Sequence, residues 1–405
     1  MKFNLVTQIF FAFVLAIILG SIFGSSIDFL KPFGELFLRL IKFIIAPLIL
    51  STLVVGVAGT SDPKQLGKMG VKTVVYYLAT TAVAIVIGLL VAFAIAPGKG
   101  VTIATEGLSI PEAATQEPQS AITTLLNIIP ENPFTSLAAG NILQIIFFAL
   151  FIGLAITLIG EKAQPVYRFF EGFAEVMYKI TGIVMKVAPI GVLGLLAPVV
   201  GQYGLSVLLP LVKLILAVFI ACILHAVIVY STAVKTWGRM SPIKFFKGIS
   251  PAALVAFSTA SSSGTLPLTI KNTNENLGVP NRISSFVLPL GATVNMDGTA
   301  IYQGVAVVFI AQFYQLNLSF MELLTVVLIT ILASIGTAGV PGAGMIMLAM
   351  VLTSVNMPLE GIALIAGIDR ILDMMRTTVN IVGDASAAVV VAGTEKDRIE
   401  VVPTK

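Results

Sequence analysis

Residues 250–270, SPAALVAFSTASSSGTLPLTI, run apolar, then small and polar, then apolar again. Each apolar half is shorter than the ~20 residues a helix needs to cross a bilayer. That suits a hairpin which dips into a membrane and returns on the same side. A second stretch of the same form, LITILASIGTAGVPGAGMIML, occupies residues 328–348, with Pro341 set among glycines. Backbone that leaves the helix at membrane depth is tolerated only where it is buried in protein or faces a water-filled cavity. Two such interruptions in matching places are the sequence mark of a transporter built from inverted repeats, with its site where the tips meet.

Composition agrees with a membrane setting. The 405 residues are 57% hydrophobic and 11% charged, with a mean hydropathy of +1.01, outside soluble globular usage. Apolar runs recur along the chain, so an all-α integral membrane protein is expected rather than a barrel. The N-terminus has no convincing cleavage site and reads as a retained first helix. A formal charge of +4 fits basic loops at a cytoplasmic face, and no nucleic-acid partner is expected. The single cysteine, Cys222, and single histidine, His225, exclude an intrachain disulfide and argue against a metal cluster. Both are expected to be packing residues.

Hydropathy predicts six ordinary spans near 7–24, 36–59, 71–96, 141–160, 173–200 and 205–234. The loop 61–72 carries Lys64, Lys68 and Lys72, and 235–247 carries Lys235, Arg239, Lys244 and Lys247, whereas 97–140 holds Glu106, Glu112, Glu117 and Glu131. With the N-terminus inside, six crossings put both basic segments in the cytoplasm and the acidic one outside. The first hairpin then enters from inside. Residues 284–314, SSFVLPLGATVNMDGTAIYQGVAVVFIAQFY, cross once with a polar knot at mid-depth, and the second hairpin enters from outside.

The last span, 361–393, holds Asp369, Arg370, Asp373, Arg376 and Asp384. Asp373, Thr377, Asn380 and Asp384 follow helical spacing and form one polar stripe. A charge at the bilayer centre costs roughly 2.5–3.5 kcal/mol on insertion scales, so such residues mark a substrate or ion pathway. Arg376 offers a planar fork for a carboxylate, Asp373 an acceptor for an ammonium, and the hairpin tips unpaired N–H groups for a second carboxylate. The ligand that uses all three is an acidic amino acid. Asp297 and Asp384, with Asn295, Asn380 and carbonyls of unwound backbone, can hold a hard cation. With only oxygen ligands, an alkali metal is favoured.

The motifs SSSGTLP (261–267), NMDGTA (295–300), GTAGVPGAG (336–344) and DMMRTTVNIVGD (373–384), in this order and layout, resemble the glutamate transporter family of sodium- or proton-coupled acidic amino acid symporters. The resemblance runs from the first helix to about residue 393. It implies eight transmembrane helices plus two re-entrant hairpins in inverted repeats, working as an elevator in a homotrimer. Short loops and a compact length point to a prokaryotic inner membrane, and the loop charges to a cytoplasmic N-terminus, with the C-terminus expected on the same side. The scaffold would comprise 1–70 and 97–204, and the transport domain 71–96 and 205–395. Arg376 would bind the side-chain carboxylate and Asp373 the amino group, with further contacts from Thr377, Asn380 and Thr299. Ser261, Ser262 and Ser263, with Ala338, Val340 and Gly342 of the second tip, would surround the α-carboxylate. One sodium would lie at Gly291, Asn295, Asn380 and Asp384. A second would use Thr293 with the carbonyls of Ser334, Ile335 and Thr337, and a third Tyr77, Thr80, Thr81, Asn295 and Asp297. No other cofactor is implied, and membrane lipid is the surrounding partner.

The family pattern is departed from at three positions. Relatives usually carry a further arginine where Ala260 or Met374 stands here, and Arg370 is the candidate replacement, with Asp369 and Arg370 expected as a structural or gate pair. Gln303 stands where the vertebrate proton- and potassium-coupled members have a glutamate, so no potassium counter-transport is expected. Proton coupling remains the alternative to sodium. A C4-dicarboxylate symporter would not need Asp373, a neutral amino acid exchanger would lack Arg376, and a channel would carry repeated rings around its pore. No HExxH motif or nucleophile and base pair is present, so an enzyme is not expected.

Overall fold

A computed structural model describes residues 5–58, 67–99, 126, 129–335 and 343–395. Among them the fold is entirely helical. The helices are α1 (Leu5–Phe23), α2 (Lys31–Ala58), α3 (Gly67–Ile95), α4 (Pro133–Ala139), α5 (Ile142–Ile159), α6 (Gln164–Met185), α7 (Ala188–Tyr203), α8 (Leu208–His225) and α9 (Ser231–Thr236). They continue with α10 (Pro242–Thr259), α11 (Ser262–Glu275), α12 (Asn281–Val294), α13 (Asp297–Phe313), α14 (Phe320–Ser334), α15 (Ala343–Ser354), α16 (Gly361–Ala366) and α17 (Asp369–Thr394). Several are apolar and long enough to cross a bilayer, and the chain is a multi-pass membrane protein.

The expected spans need four adjustments. The predicted 173–200 span is two helices, α6 and α7, separated at Lys186 and Val187, with Pro189 in the first turn of α7. Helix α6 also begins nine residues early, because Arg168 and Glu171 sit on its exposed face and depress local hydropathy. Lys68 and Lys72 belong to α3 rather than to a loop, and Lys72 pairs with Glu395 just beyond α17. Finally, the 205–234 span is interrupted by a π-helical turn, Ala226–Tyr230. The acidic segment 97–140 lies mostly outside the described residues.

Helices α1, α2, α5, α6 and α7 pack on one another. Small residues let the backbones approach: a Cβ on Gly20 would lie 2.6 Å from the Ala197 carbonyl, and one on Gly194 would lie 2.6 Å from the Gly34 nitrogen. Helix α13 is the centre of the other helices and is buried at nearly every position, covered by α3, α8, α15 and α17. At its crossing with α3, Gly88 comes so close that a Cβ would stand 2.6 Å from the Ile301 carbonyl. Helices α10 and α11 pack as a helix–turn–helix with both arms along α17, and α14 packs against α15.

Candidate functional site

The polar knot breaks the helix where the sequence suggests. Helix α12 ends at Val294; Asn295 (φ −93°, ψ 100°) and Met296 (φ −122°, ψ 45°) are non-helical, and α13 restarts at Asp297. An acidic residue in a first turn meets the positive end of the helix dipole. Gly298 is therefore not part of the break. It lies inside α13 where the backbones of α13 and α17 touch, and a Cβ there would overlap the carbonyl oxygen of Arg376. Its N–H donates to Asn380 Oδ1 at 2.8 Å. Gly298→Ala is expected to push α13 off α17, at a cost of about 1–3 kcal/mol of overpacking. Loss of ligand-induced thermal stabilisation at retained folded yield would reveal it; an unchanged ligand response would refute it.

Asp297 is fully buried and meets polar side chains from three helical segments. Thr81 Oγ1 donates to Oδ1 at 2.7 Å, Tyr230 OH donates to Oδ2 at 2.8 Å, and His225 Nε2 lies 3.2 Å from Oδ2. His225 is thus no packing residue: its ring stands edge-on to Tyr230 with centroids 4.8 Å apart, and both face one carboxylate oxygen. In an α-helix, residues five apart point about 140° apart at ~100° per residue. The π turn between them closes that gap, as such turns often do at functional sites. Cys222 is buried, as expected of a packing residue.

Next to this carboxylate, Asn295 Nδ2 donates to Asp384 Oδ1 at 2.9 Å and to the Asn380 carbonyl at 3.1 Å. Asn295 Oδ1 is buried and meets no partner among the described residues. Gly291 packs against Asp384 and the Tyr77 hydroxyl so closely that a Cβ would overlap the carboxylate. Gly291, Asn295, Asn380 and Asp384 are therefore assembled at one place, with an oxygen free to ligate. Of the expected third cation set, Thr81, Asn295 and Asp297 line this same region. Tyr77 OH donates to the Val287 carbonyl and Thr80 Oγ1 to its own preceding turn at Tyr77. Thr293 and Ser334 likewise bond back along their helices, to Leu290 and Ile331. Ile335, just past the end of α14, is half-buried, while Thr337, Ala338, Val340 and Gly342 lie outside the described residues. Among the described residues no three His, Cys, Asp or Glu side chains form a metal cluster.

Arg376 is 1% exposed. Its Nη1 donates to Asp369 Oδ1 at 2.7 Å, its Nη2 lies 2.8 Å from Asp373 Oδ1, and its guanidinium carbon stands 4.2 Å over the Tyr302 ring. Gly344, at the start of α15, lies so close that a Cβ would be 2.7 Å from Nη2. The expected Asp369 and Arg370 pair is not formed: Asp369 turns to Arg376, and Arg370 reaches the carbonyls of Ser258 and Thr259. Asn380 Nδ2 faces Met296 Sδ and Thr299 Oγ1 at 3.3 and 3.5 Å. Thr377 and Thr299 are buried beside them, and Ser261, Ser262 and Ser263 open α11 at the first tip. Gln303 is fully buried, and its amide meets no partner among the described residues.

The model of the sodium:dicarboxylate symporter family matches residues 5–394. The chain belongs to that family. It is similar to the proton/sodium-glutamate symport protein of Geobacillus stearothermophilus, 42% identical over 399 residues, covering 96% of this chain and 94% of that protein. It also resembles the proton/glutamate-aspartate symporter of Escherichia coli (strain K12), 41% identical over 407 residues (96% and 93%). A C4-dicarboxylate transport protein 2 of Pseudomonas aeruginosa (strain UCBPP-PA14) is 37% identical over 394 residues (96% and 90%). All three names are those of transporters. Within this family, the residues missed by sequence reasoning are His225, Tyr230 and Tyr302, together with Asp369 as the partner of Arg376.

Proposed function

We propose that this symporter imports acidic amino acids, L-glutamate and L-aspartate, coupled to sodium. One observation carries the reading: a buried arginine and a buried aspartate, Arg376 and Asp373, meet 2.8 Å apart on a helix whose next turns reach the oxygen-rich cluster at Asn295 and Asp384. An amino acid's carboxylate and ammonium replace the two ends of such a pair. Arg376 takes the side-chain carboxylate, Asp373 the ammonium, Thr377, Asn380 and Thr299 the flanking polar atoms. Ser261, Ser262 and Ser263, with Ala338, Val340 and Gly342, take the α-carboxylate. Sodium is cargo, held by the sets assigned to it above, and the protein acts as a transporter without enzymatic chemistry.

In this reading eight helices cross the membrane and α10–α11 and α14–α15 are re-entrant hairpins. Residues 1–70 and 97–204 form the scaffold of a homotrimer, and 71–96 with 205–395 the moving domain of an elevator. The chain works in a prokaryotic inner membrane with both termini cytoplasmic. Support comes from the packing of α1, α2, α5, α6 and α7 on one another while α3, α8, α10–α13 and α17 surround the site.

Proton coupling is the second reading, and His225 beside Asp297 favours it, since an imidazole and a carboxylate can share a carried proton. The names of the glutamate-symporting relatives include both ions. Proteoliposome uptake of labelled L-aspartate and L-glutamate decides, with an inward Na⁺ gradient at equal pH against an inward H⁺ gradient without Na⁺. Accumulation under Na⁺ alone is expected. Accumulation under H⁺ alone refutes the sodium assignment and leaves the amino acid site intact; uptake of C4-dicarboxylates in place of amino acids refutes the role of Asp373.

A further inference from the structure

Helix α10 ends at Thr259, and Ala260 follows in the left-handed region (φ 51°, ψ 43°), which strains a residue with a Cβ. Ser261 is extended, and its Oγ accepts the Gly264 N–H at 3.0 Å, so α11 is capped from within. The end of α10 is not. The last four carbonyls of a helix have no intrahelical donor. The Ala260 N–H takes the Ala256 carbonyl, while the Ser258 and Thr259 hydroxyls turn back to Val255. The carbonyls of Ser258 and Thr259 are met instead by Nη2 of Arg370, at 3.0 and 3.3 Å, from more than a hundred residues further along the chain. A guanidinium at a helix C-terminus also faces the negative end of the dipole. Arg370 is next to Asp369, which holds Arg376. The first turn of α17 thus grips the hairpin tip and the substrate arginine together.

We propose that Arg370 is a positioning residue, a latch that holds the tip of the first hairpin against α17 and so fixes where Ser261–Ser263 meet the substrate. The second half of this statement rests on the serine assignment above. The latch is half-exposed and is a single guanidinium arm on two carbonyls, so it can be weakened without emptying the core.

Thr265, 1% exposed behind the tip, reports on it. In the full-length Thr265→Cys protein in proteoliposomes, labelling by a membrane-impermeant maleimide is compared with and without Arg370→Ala. The native Cys222 is fully buried and contributes little background. Losing a charge-assisted hydrogen bond predicts labelling roughly tenfold faster. KM for the amino acid should rise by a similar roughly tenfold factor with kcat held. Arg370→Lys, which keeps the charge but not the fork, should be intermediate. Unchanged labelling in Arg370→Ala overturns the latch, even if thermal stability falls. Should that variant fail to fold, Arg370→Lys carries the test alone, and labelling equal to that of the unaltered arginine overturns it. Faster labelling at constant KM leaves the latch standing and refutes the serine assignment.

Discussion

Arg376→Ala is expected to abolish uptake of acidic amino acids and to lower the thermal stability of the protein together. The guanidinium is held by Asp369 and Asp373 and stacked on Tyr302, with both carboxylates buried. Removing one partner from a buried ionic group leaves the others uncompensated, at a cost of about 3–5 kcal/mol. Here two carboxylates are stranded side by side. A second change, Asp369→Asn, removes one of them without restoring a binding group for substrate. The double variant should therefore recover part of the lost melting temperature and none of the uptake. The two readouts are thermal unfolding in detergent and labelled-aspartate accumulation in proteoliposomes. If Arg376→Ala retained a tenth or more of normal uptake, the arginine would not be the carboxylate ligand. A melting temperature unmoved in the single variant would refute the buried triad.

Much of that triad is written in the spacing of α17. Asp373, Thr377, Asn380 and Asp384 recur at three and four residues, and all four are buried along the face that meets α12 and α13. Asp369 precedes Asp373 by four and belongs to the same stripe. Pairing it with Arg370 was the error, because chain neighbours on a helix point about 100° apart, whereas residues seven apart are two turns up the same face. The break at Asn295 and Met296 was legible for a different reason: a polar run inside an otherwise apolar segment has nowhere to bury except a site.

His225 and Tyr230 were not legible. Their spacing is wrong for an α-helix, and only the π turn at Ala226–Tyr230 aims both at Asp297. Nothing in the apolar sequence around that turn announces it. Hydroxyls posed the opposite problem. Thr81 and Thr80 are adjacent in sequence and alike in chemistry, yet one faces Asp297 and the other bonds its own helix. Which one does so depends on the crossing angle of α3 over α13, set by close approach at Gly88 and Gly304, and no local pattern carries that angle.

Asp384→Asn is expected to raise the sodium concentration that half-saturates aspartate uptake by about 100-fold. A unit charge about 4 Å from a cation, at an effective dielectric near 20, is worth about 4 kcal/mol. Part of that is offset because a neutral amide is cheaper to keep buried. The amide retains an oxygen that can still accept from Asn295 Nδ2, so the local fold should survive and the loss should fall on the ion. Gly291→Ala tests the same set without touching its charge. A methyl at Gly291 overlaps the Asp384 carboxylate and crowds the Tyr77 hydroxyl, so the carboxylate must swing away from Asn295. Sodium dependence should weaken in the same direction. The two variants part company under the proton reading: Asp384→Asn would then leave Na⁺ response flat and remove H⁺-driven uptake. If both variants kept normal sodium half-saturation, the oxygens gathered around Asn295 would serve folding and the coupling ion would bind elsewhere.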